Sequence, residues 1–227
     1  MKLSVIVPVY NEQATLAEII QRVLTTPFEK EVVIVDDGST DGTRGILQKF
    51  QSIPNVRILY HETNRGKGAA IITGLECVRG EYTLIQDADL EYDPNDYAVL
   101  MEPFQDNAVQ VVYGSRNLKK NKRSSWAFYW GGRVLSWVTS VLYGVKITDE
   151  PTGYKIFRTS LLKTLDLRST GFEFCPEVTA KILRRKIPIR EVPISYNPRN
   201  WSEGKKIHWQ DGFEAVWVLI RYRFKRL

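Results

Sequence analysis

Tyr82-Thr83-Leu84-Ile85-Gln86-Asp87-Ala88-Asp89-Leu90-Glu91 begins as an apolar, β-favouring run and closes on three acids at alternate positions. On an extended backbone, residues two apart share a side. Asp87, Asp89 and Glu91 therefore converge at the end of this strand if the chain stays extended beyond it. Three carboxylates so close repel one another unless a cation lies among them. Hard oxygen ligands favour Mg²⁺ or Mn²⁺, which in turn favours a substrate with phosphate oxygens. An isolated D-x-D is more often a solvated acidic turn, so the surrounding chain has to weigh the two readings.

Outward from that strand, apolar runs alternate with helix-like periodic ones. Strands are expected at Leu3–Val9, Glu31–Val35, Val56–Tyr60, Tyr82–Gln86 and Val109–Tyr113. Helices are expected between them, at Gln13–Thr25, Asp41–Gln51, Lys67–Val78 and Pro94–Phe104. In the first of these, Leu16, Ile19, Ile20, Val23 and Leu24 recur at helical spacing. This α/β alternation predicts right-handed crossovers and a mainly parallel central sheet with helices on both faces, a Rossmann-like class. Ligands on such sheets bind at the carboxyl ends of the strands. The rule lines up Tyr10-Asn11-Glu12, Asp36-Asp37-Gly38-Ser39 and Asp87-Ala88-Asp89 on one rim.

The 227 residues suit a single domain, expected to divide into 1–116, 117–208 and a basic amphipathic helix at 209–227. Charge is unevenly spread, with a net of −6 over residues 1–100, +4 over 101–180 and +8 over 181–227. An acidic half suited to a metal is followed by a basic half suited to an anionic partner. Cys77 and Cys175 form no framework and have no metal-ligand spacing. Together with an N-terminus that runs straight into a strand, they point to reduced thiols and a cytoplasmic protein. No apolar stretch reaches the roughly 18–20 residues needed to span a bilayer.

Three further clusters bear chemistry. Asp36-Asp37-Gly38-Ser39-Thr40-Asp41 ends a strand in acids able to accept from ribose hydroxyls or a base N–H, and it can also cap the next helix. Asn64-Arg65-Gly66-Lys67-Gly68-Ala69-Ala70 opens a helix whose N-terminus, with Arg65 and Lys67, suits a diphosphate. No G-x-G-x-x-G follows the first strand, which argues against a dinucleotide site, and no P-loop is present. Lys119-Lys120-Asn121-Lys122-Arg123 precedes a segment rich in Trp, Phe and Tyr, a pairing suited to a membrane surface.

In this order and spacing, V-I-V-P-V-Y-N-E, V-D-D-G-S-T-D-G-T, N-R-G-K-G-A-A and D-A-D-L-E resemble the nucleotide-sugar half of family-2 inverting glycosyltransferases of the GT-A fold. Gly114-Ser115-Arg116, the run Asp149 to Arg158, Gly171-Phe172-Glu173-Phe174 and Glu191-Val192-Pro193-Ile194 resemble the polyprenyl-phosphate mannosyl- and glucosyltransferase branch. The resemblance implies base and ribose contacts at Pro8, Tyr10, Glu12 and Asp37, with Asp36 beside it. It also implies a metal and diphosphate site at Asp87, Ala88, Asp89 and Glu91, with Lys67 and Arg199 near the diphosphate. Arg116 and Arg133 match arginines that hold an acceptor phosphate.

The expected activity is metal-dependent inverting transfer of one sugar from a UDP- or GDP-sugar to polyprenyl phosphate. The expected cofactor is Mg²⁺ or Mn²⁺, and the expected place is the cytoplasmic face of a membrane, peripherally bound. A lipid phosphate is already an anion, so no catalytic base is expected. Asp149, Glu150 and Glu173 are the acids to watch. One alternative is a saccharide hydroxyl acceptor. Another is a non-catalytic basic module on membrane or nucleic acid, which would leave the acidic rim without a purpose; nucleic acid is therefore not expected as a partner.

Overall fold

The computed structural model describes residues 2–122, 125–199 and 209–225. Within them, seven strands form one sheet: β1 Leu3–Val9, β2 Lys30–Asp36, β3 Val56–Tyr60, β4 Tyr82–Ile85, β5 Val111–Ser115, β6 Lys155–Arg158 and β7 Arg190–Pro193. Their spatial order is β3-β2-β1-β4-β6-β5-β7. All pairings are parallel except those of β6, which runs antiparallel to both β4 and β5. The expected mainly parallel α/β sheet is present.

Every residue of β1 is buried, as a strand covered on both faces requires. Its alternation sorts the core. Leu3, Val5, Val7 and Val9 face one cluster with Leu16, Ile19, Ile20 and Val23 of helix α1, Leu16–Thr25. Ile6 joins the opposite cluster, with Ala70, Ile71 and Leu75 of helix α3, Lys67–Cys77. Each such Val, Leu or Ile side chain contributes about 1.5–3 kcal/mol by leaving water. Between them, helix α2 is shorter than its pattern, Thr43–Gln48.

Helix α1 starts three residues later than expected, β2 extends one residue further at each end, β4 and α3 stop one residue sooner, and two other elements differ more. The single helix expected over Pro94–Phe104 is broken into a 3₁₀ turn Pro94–Asp96, helix α4 Tyr97–Met101 and a second 3₁₀ turn Glu102–Gln105. Pro103 has no N–H to continue an α-helical ladder. The strand expected at Val109–Tyr113 lies two residues later, because β5 takes its register from β6 and β7.

The second half does not form a separate unit, since β6 and β7 complete the sheet begun by the first. Helix α5, Trp126–Tyr143, and helix α7, Phe174–Arg184, cover this end with helix α8, Trp209–Phe224. The short helix α6, Thr159–Lys163, follows β6 directly. A third apolar cluster joins Leu135 of α5, Ala180 of α7 and Ala215, Val218, Leu219 and Tyr222 of α8. No helix among the described residues is long and apolar enough to cross a membrane.

Candidate active site

Because β1, β2 and β4 run parallel, their carboxyl ends share the rim that the strand rule indicates. Asp37 N donates to Val9 O at 2.7 Å, and His61 N donates to Asp36 O at 2.8 Å. The two neighbouring acids then take different jobs. Asp37 Oδ1 accepts from Arg65 N at 2.9 Å and lies 2.6 Å from His61 Nδ1, while Oδ2 accepts from Gly66 N at 2.7 Å. That carboxylate is fully used in shaping the loop before α3. Asp36 is buried, with Oδ2 accepting from Arg44 Nε at 2.7 Å. Its Oδ1 is buried with no hydrogen-bond partner among the described residues. A buried acceptor without a donor is costly, and a ligand N–H or hydroxyl would relieve it. The ligand-facing role expected of Asp37 thus fits Asp36 better.

The other expected donor contacts are unequally placed. Pro8 is buried inside β1 opposite Val35, while Tyr10 is half-buried just past the strand end. Glu12 turns back into the rim, where its carboxylate accepts from Thr15 Oγ1 at 2.9 Å and from Arg199 Nη1 at 3.1 Å. Ala88 is buried, and its carbonyl accepts from Thr15 Oγ1 at 2.8 Å.

Asp87, Asp89 and Glu91 do not converge as a set of three, a correction to the extended-strand reading. β4 ends at Ile85, the chain turns, and Leu90 takes a left-handed φ of 61°, so the period of two is lost. Among the described residues no three His, Cys, Asp or Glu side chains are arranged to hold a metal. Glu91 Oε1 accepts from Arg199 N at 2.8 Å and Oε2 from Tyr196 OH at 3.1 Å, so Glu91 fastens the 195–199 segment.

The cations that offset the remaining acids belong to the chain itself. Lys67 Nζ is 2.5 Å from Asp87 Oδ1, and Arg199 Nη2 is 2.8 Å from Asp89 Oδ2. Even so, burial and the charges of Asp87 and Glu91 push Asp89 up to about 7. Crowded negative charge of this kind favours a further cation. Asp87 and Asp89 offer the hard oxygens that Mg²⁺ or Mn²⁺ take, and such ions commonly use one or two carboxylates plus substrate phosphates. The pair fits that pattern.

The N-terminus of α3 is not open to a diphosphate. Ala69 N donates to Thr170 O at 2.9 Å, and a Cβ at Gly66 or Gly68 would overlap the backbone of residues 169–170. Gly66 also needs its φ of 97°. These glycines admit the chain's own 169–171 segment rather than a ligand; Arg65 N and Gly66 N are spent on Asp37, and the Lys67 side chain reaches Asp87.

Behind the rim, Gln86 Oε1 accepts from Tyr97 OH at 2.7 Å and Tyr154 OH at 2.8 Å, while its Nε2 donates to Asp87 O. Gly153 passes so close to Asp87 that any side chain there would overlap the carboxylate. Sequence reasoning missed this support. Gln86 carries a signal only as a polar residue at the end of an apolar strand.

Beside the acids lies a cavity of about 250 Å³ lined by Arg116, Asn117, Lys119, Lys120, Asn121, Lys122, Phe128, Tyr129, Gly132, Arg133, Asp149 and Tyr196. It brings together Arg116 and Arg133, and adds three lysines of the loop expected to face a membrane. Arg116 is already engaged: Nε and Nη2 hold both oxygens of Asp149 at 2.8 and 2.7 Å, and its guanidinium lies 5.0 Å from the Tyr196 ring centre. Lys119 and Lys122 donate to Ser195 Oγ and Asn197 Oδ1. Among the described residues Arg133 and Lys120 make no hydrogen bond or ion pair, and are free to meet an anion. Tyr196, between Arg116 and Glu91, joins the cavity to the acidic rim.

Of the watched acids, Asp149 and Glu173 are committed, while Glu150 keeps one buried oxygen, Oε2, without a hydrogen-bond partner among the described residues. Asp149 is the one acid on the cavity wall. Glu173 Oε1 accepts from Thr170 N and Gly171 N, both at 2.9 Å. Glu150 is buried, accepting from Thr179 Oγ1 at 3.1 Å, and burial raises its pKa.

Comparison with known proteins places this geometry. A UDP-N-acetylglucosamine–dolichyl-phosphate N-acetylglucosaminyltransferase of Methanococcus voltae is 28% identical, with 98% of this chain aligned to 96% of that one. An undecaprenyl-phosphate mannosyltransferase of Micrococcus luteus is 31% identical over 90% of this chain and 87% of its own length. The dolichol-phosphate mannosyltransferase of Pyrococcus furiosus is 29% identical over 90% of this chain, which spans 59% of that longer protein. In structure, glucosyl-3-phosphoglycerate synthase of Mycobacterium tuberculosis, solved with Mn²⁺, UDP and phosphoglyceric acid, superposes with a TM-score of 0.75 at 17% identity, over all of this chain and 80% of the other. The family model described as glycosyl transferase family 2 matches residues 4–166, a span that includes the sheet through β6, the acidic rim and most of the cation-lined cavity. The chain therefore belongs to glycosyl transferase family 2 and is a glycosyltransferase of the GT-A fold.

Proposed function

We propose that this enzyme transfers one sugar, with inversion, from a nucleotide sugar of the UDP-glucose or GDP-mannose type to polyprenyl phosphate. The reading includes a need for Mg²⁺ or Mn²⁺ and a place on the cytoplasmic face of a membrane, peripherally bound. The observation that carries it is the cavity beside the acidic rim, with five cationic side chains and a single acid on its wall. A phosphate monoester suits such a wall. A neutral hydroxyl does not, because it needs a base beside it and Asp149 is tied by both oxygens to Arg116. The relatives named for dolichyl and undecaprenyl phosphate support the same acceptor class.

In this reading the donor base and ribose lie over Tyr10 and the spare Asp36 oxygen, and its diphosphate lies by Asp87, Asp89, Lys67 and Arg199. A divalent ion held by Asp87 and Asp89 would supply charge stabilisation to the departing diphosphate. Lys67 and Arg199 are placed to add to it. Arg133 and Lys120 orient the acceptor oxygen, whose charge makes it a nucleophile without proton removal. Arg116, fixed by Asp149 and Tyr196, holds the wall rigid and positive.

The test is sugar transfer from UDP- and GDP-sugars with Mn²⁺ or Mg²⁺, with and without a short-chain polyprenyl phosphate. A lipid-linked monosaccharide that disappears with chelator and in Asp89→Ala supports the reading. Extension of a saccharide in place of the lipid phosphate refutes it.

A further inference from the structure

Helices α5 and α8 each carry two apolar faces, where a surface helix ordinarily has one. Inward, both contribute to the buried cluster around Ala180. Outward, Trp126, Trp130, Val134, Trp137 and Val141 recur along α5 at intervals of three and four residues and so form one line. Phe213, Trp217, Ile220 and Phe224 do the same on α8. Most of these side chains are largely in solvent: Trp126 is 77% exposed, Trp137 66%, Phe213 71% and Trp217 62%. The two helices are neighbours, with Tyr143 OH donating to Leu219 O at 2.8 Å. An exposed aromatic and aliphatic surface of this extent marks a contact.

Charge selects the partner. Between Asp106 and Asp149 the chain has no acidic residue and seven Lys or Arg. A second copy of the chain would set that basic surface against itself. A nucleic acid would meet Val134, Val141 and Ile220 in place of further cations. An anionic bilayer satisfies both features, because Trp settles at the headgroup level and Lys and Arg are drawn to the lipid charge. The line also reaches the cavity. Arg133, on the cavity wall, is three residues from Trp130 and four from Trp137, and neighbours both on the helix surface.

We propose that the outward faces of α5 and α8 dock on an anionic lipid bilayer and set the mouth of the cation-lined cavity at the headgroup level. The acceptor then keeps its hydrocarbon in the bilayer while its phosphate enters the cavity. This rests on the reading of the acceptor as a lipid phosphate, and the experiment separates the two.

The full chain is floated with vesicles of phosphatidylcholine containing about one third phosphatidylglycerol, and with vesicles of phosphatidylcholine alone. Trp137→Glu and Trp217→Glu change exposed side chains, and unchanged thermal melting verifies their folding. The chain is expected to float with the anionic vesicles and less with the neutral ones. Each variant is expected to lose at least about tenfold in vesicle affinity. Both variants keep full transfer to a short, water-soluble prenyl phosphate in vesicle-free solution. Equal flotation of chain and variants overturns the docking surface. So does a dimer that the variants dissociate while the parent chain ignores vesicles. Flotation that depends on Trp137 and Trp217, with no transfer to any prenyl phosphate, upholds the docking surface and refutes the acceptor.

Discussion

Arg199 Nη2 lies 2.8 Å from Asp89 Oδ2, a pairing across 110 residues of chain that sets a fixed cation against one of the two acids able to take a divalent one. The same guanidinium reaches Glu12, and Glu91 pins its backbone N–H. In the proposed reading, a divalent ion would compete with this arginine for one carboxylate. Arg199→Met is expected to bind Mn²⁺ several-fold more tightly than the parent chain without nucleotide, by paramagnetic resonance titration. Its turnover is expected to fall on the order of 10²-fold or more, because a cation beside the diphosphate is lost. Unchanged or weaker Mn²⁺ binding would show that the two do not compete.

Asp36 and Asp37, adjacent in sequence, should fail in different ways. Asp37→Ala leaves the N–H groups of Arg65 and Gly66 unpaired and is expected to cost about 2–4 kcal/mol in urea unfolding. Asp36→Asn keeps an acceptor for Arg44 but alters the spare oxygen, and is expected to raise the donor KM about tenfold with little loss of stability. The opposite pattern would return the ligand role to Asp37.

Arg133→Ala removes an uncommitted cation from the cavity. It is expected to raise the acceptor KM on the order of tenfold or more while leaving the donor KM unchanged, in steady-state transfer assays. If both constants rise together, Arg133 serves the whole site and not the acceptor phosphate.

Glu150 gives a pH dependence whose sign follows from its burial. Burial raises its pKa above the ordinary 4.5, only partly opposed by Lys155 and Thr179, so the folded chain holds a proton that the unfolded chain releases. Its contribution to stability is complete below that unfolded value and is lost as pH rises through the higher folded one. Urea unfolding at pH values rising above the ordinary 4.5 should show stability falling with pH, and Glu150→Gln should flatten that slope. Equal slopes would mean that Glu150 is not the source.

Which residues the sequence can disclose depends on the range of the interactions that place them. Apolar periodicity is local, and it was enough for the β1 and β3 boundaries, the start of α3, the α/β class and the acids at the strand ends. It misplaced β5 because that register comes from β6 and β7, some 40 and 80 residues away. The motifs named Asp36, Asp37, Lys67, Asp87 and Asp89 but not how each spends its oxygens and protons. Arg44 and His61, which divide the labour between Asp36 and Asp37, stand in no pattern that marks them.

By itself, then, the sequence determined a buried parallel sheet with acids on its carboxyl edge, because strand burial and side-chain alternation are properties of short segments. The tertiary structure alone decided that Arg199 and Lys67 sit against those acids, that Glu91 fastens a loop, that residues 169–171 close the α3 terminus, and that the lysines of residues 119–122 line a cavity with Arg133. These are pairings of charge and hydrogen bonds between segments distant in sequence. Coulomb attraction and donor–acceptor geometry act on distance in space, which only the folded chain supplies.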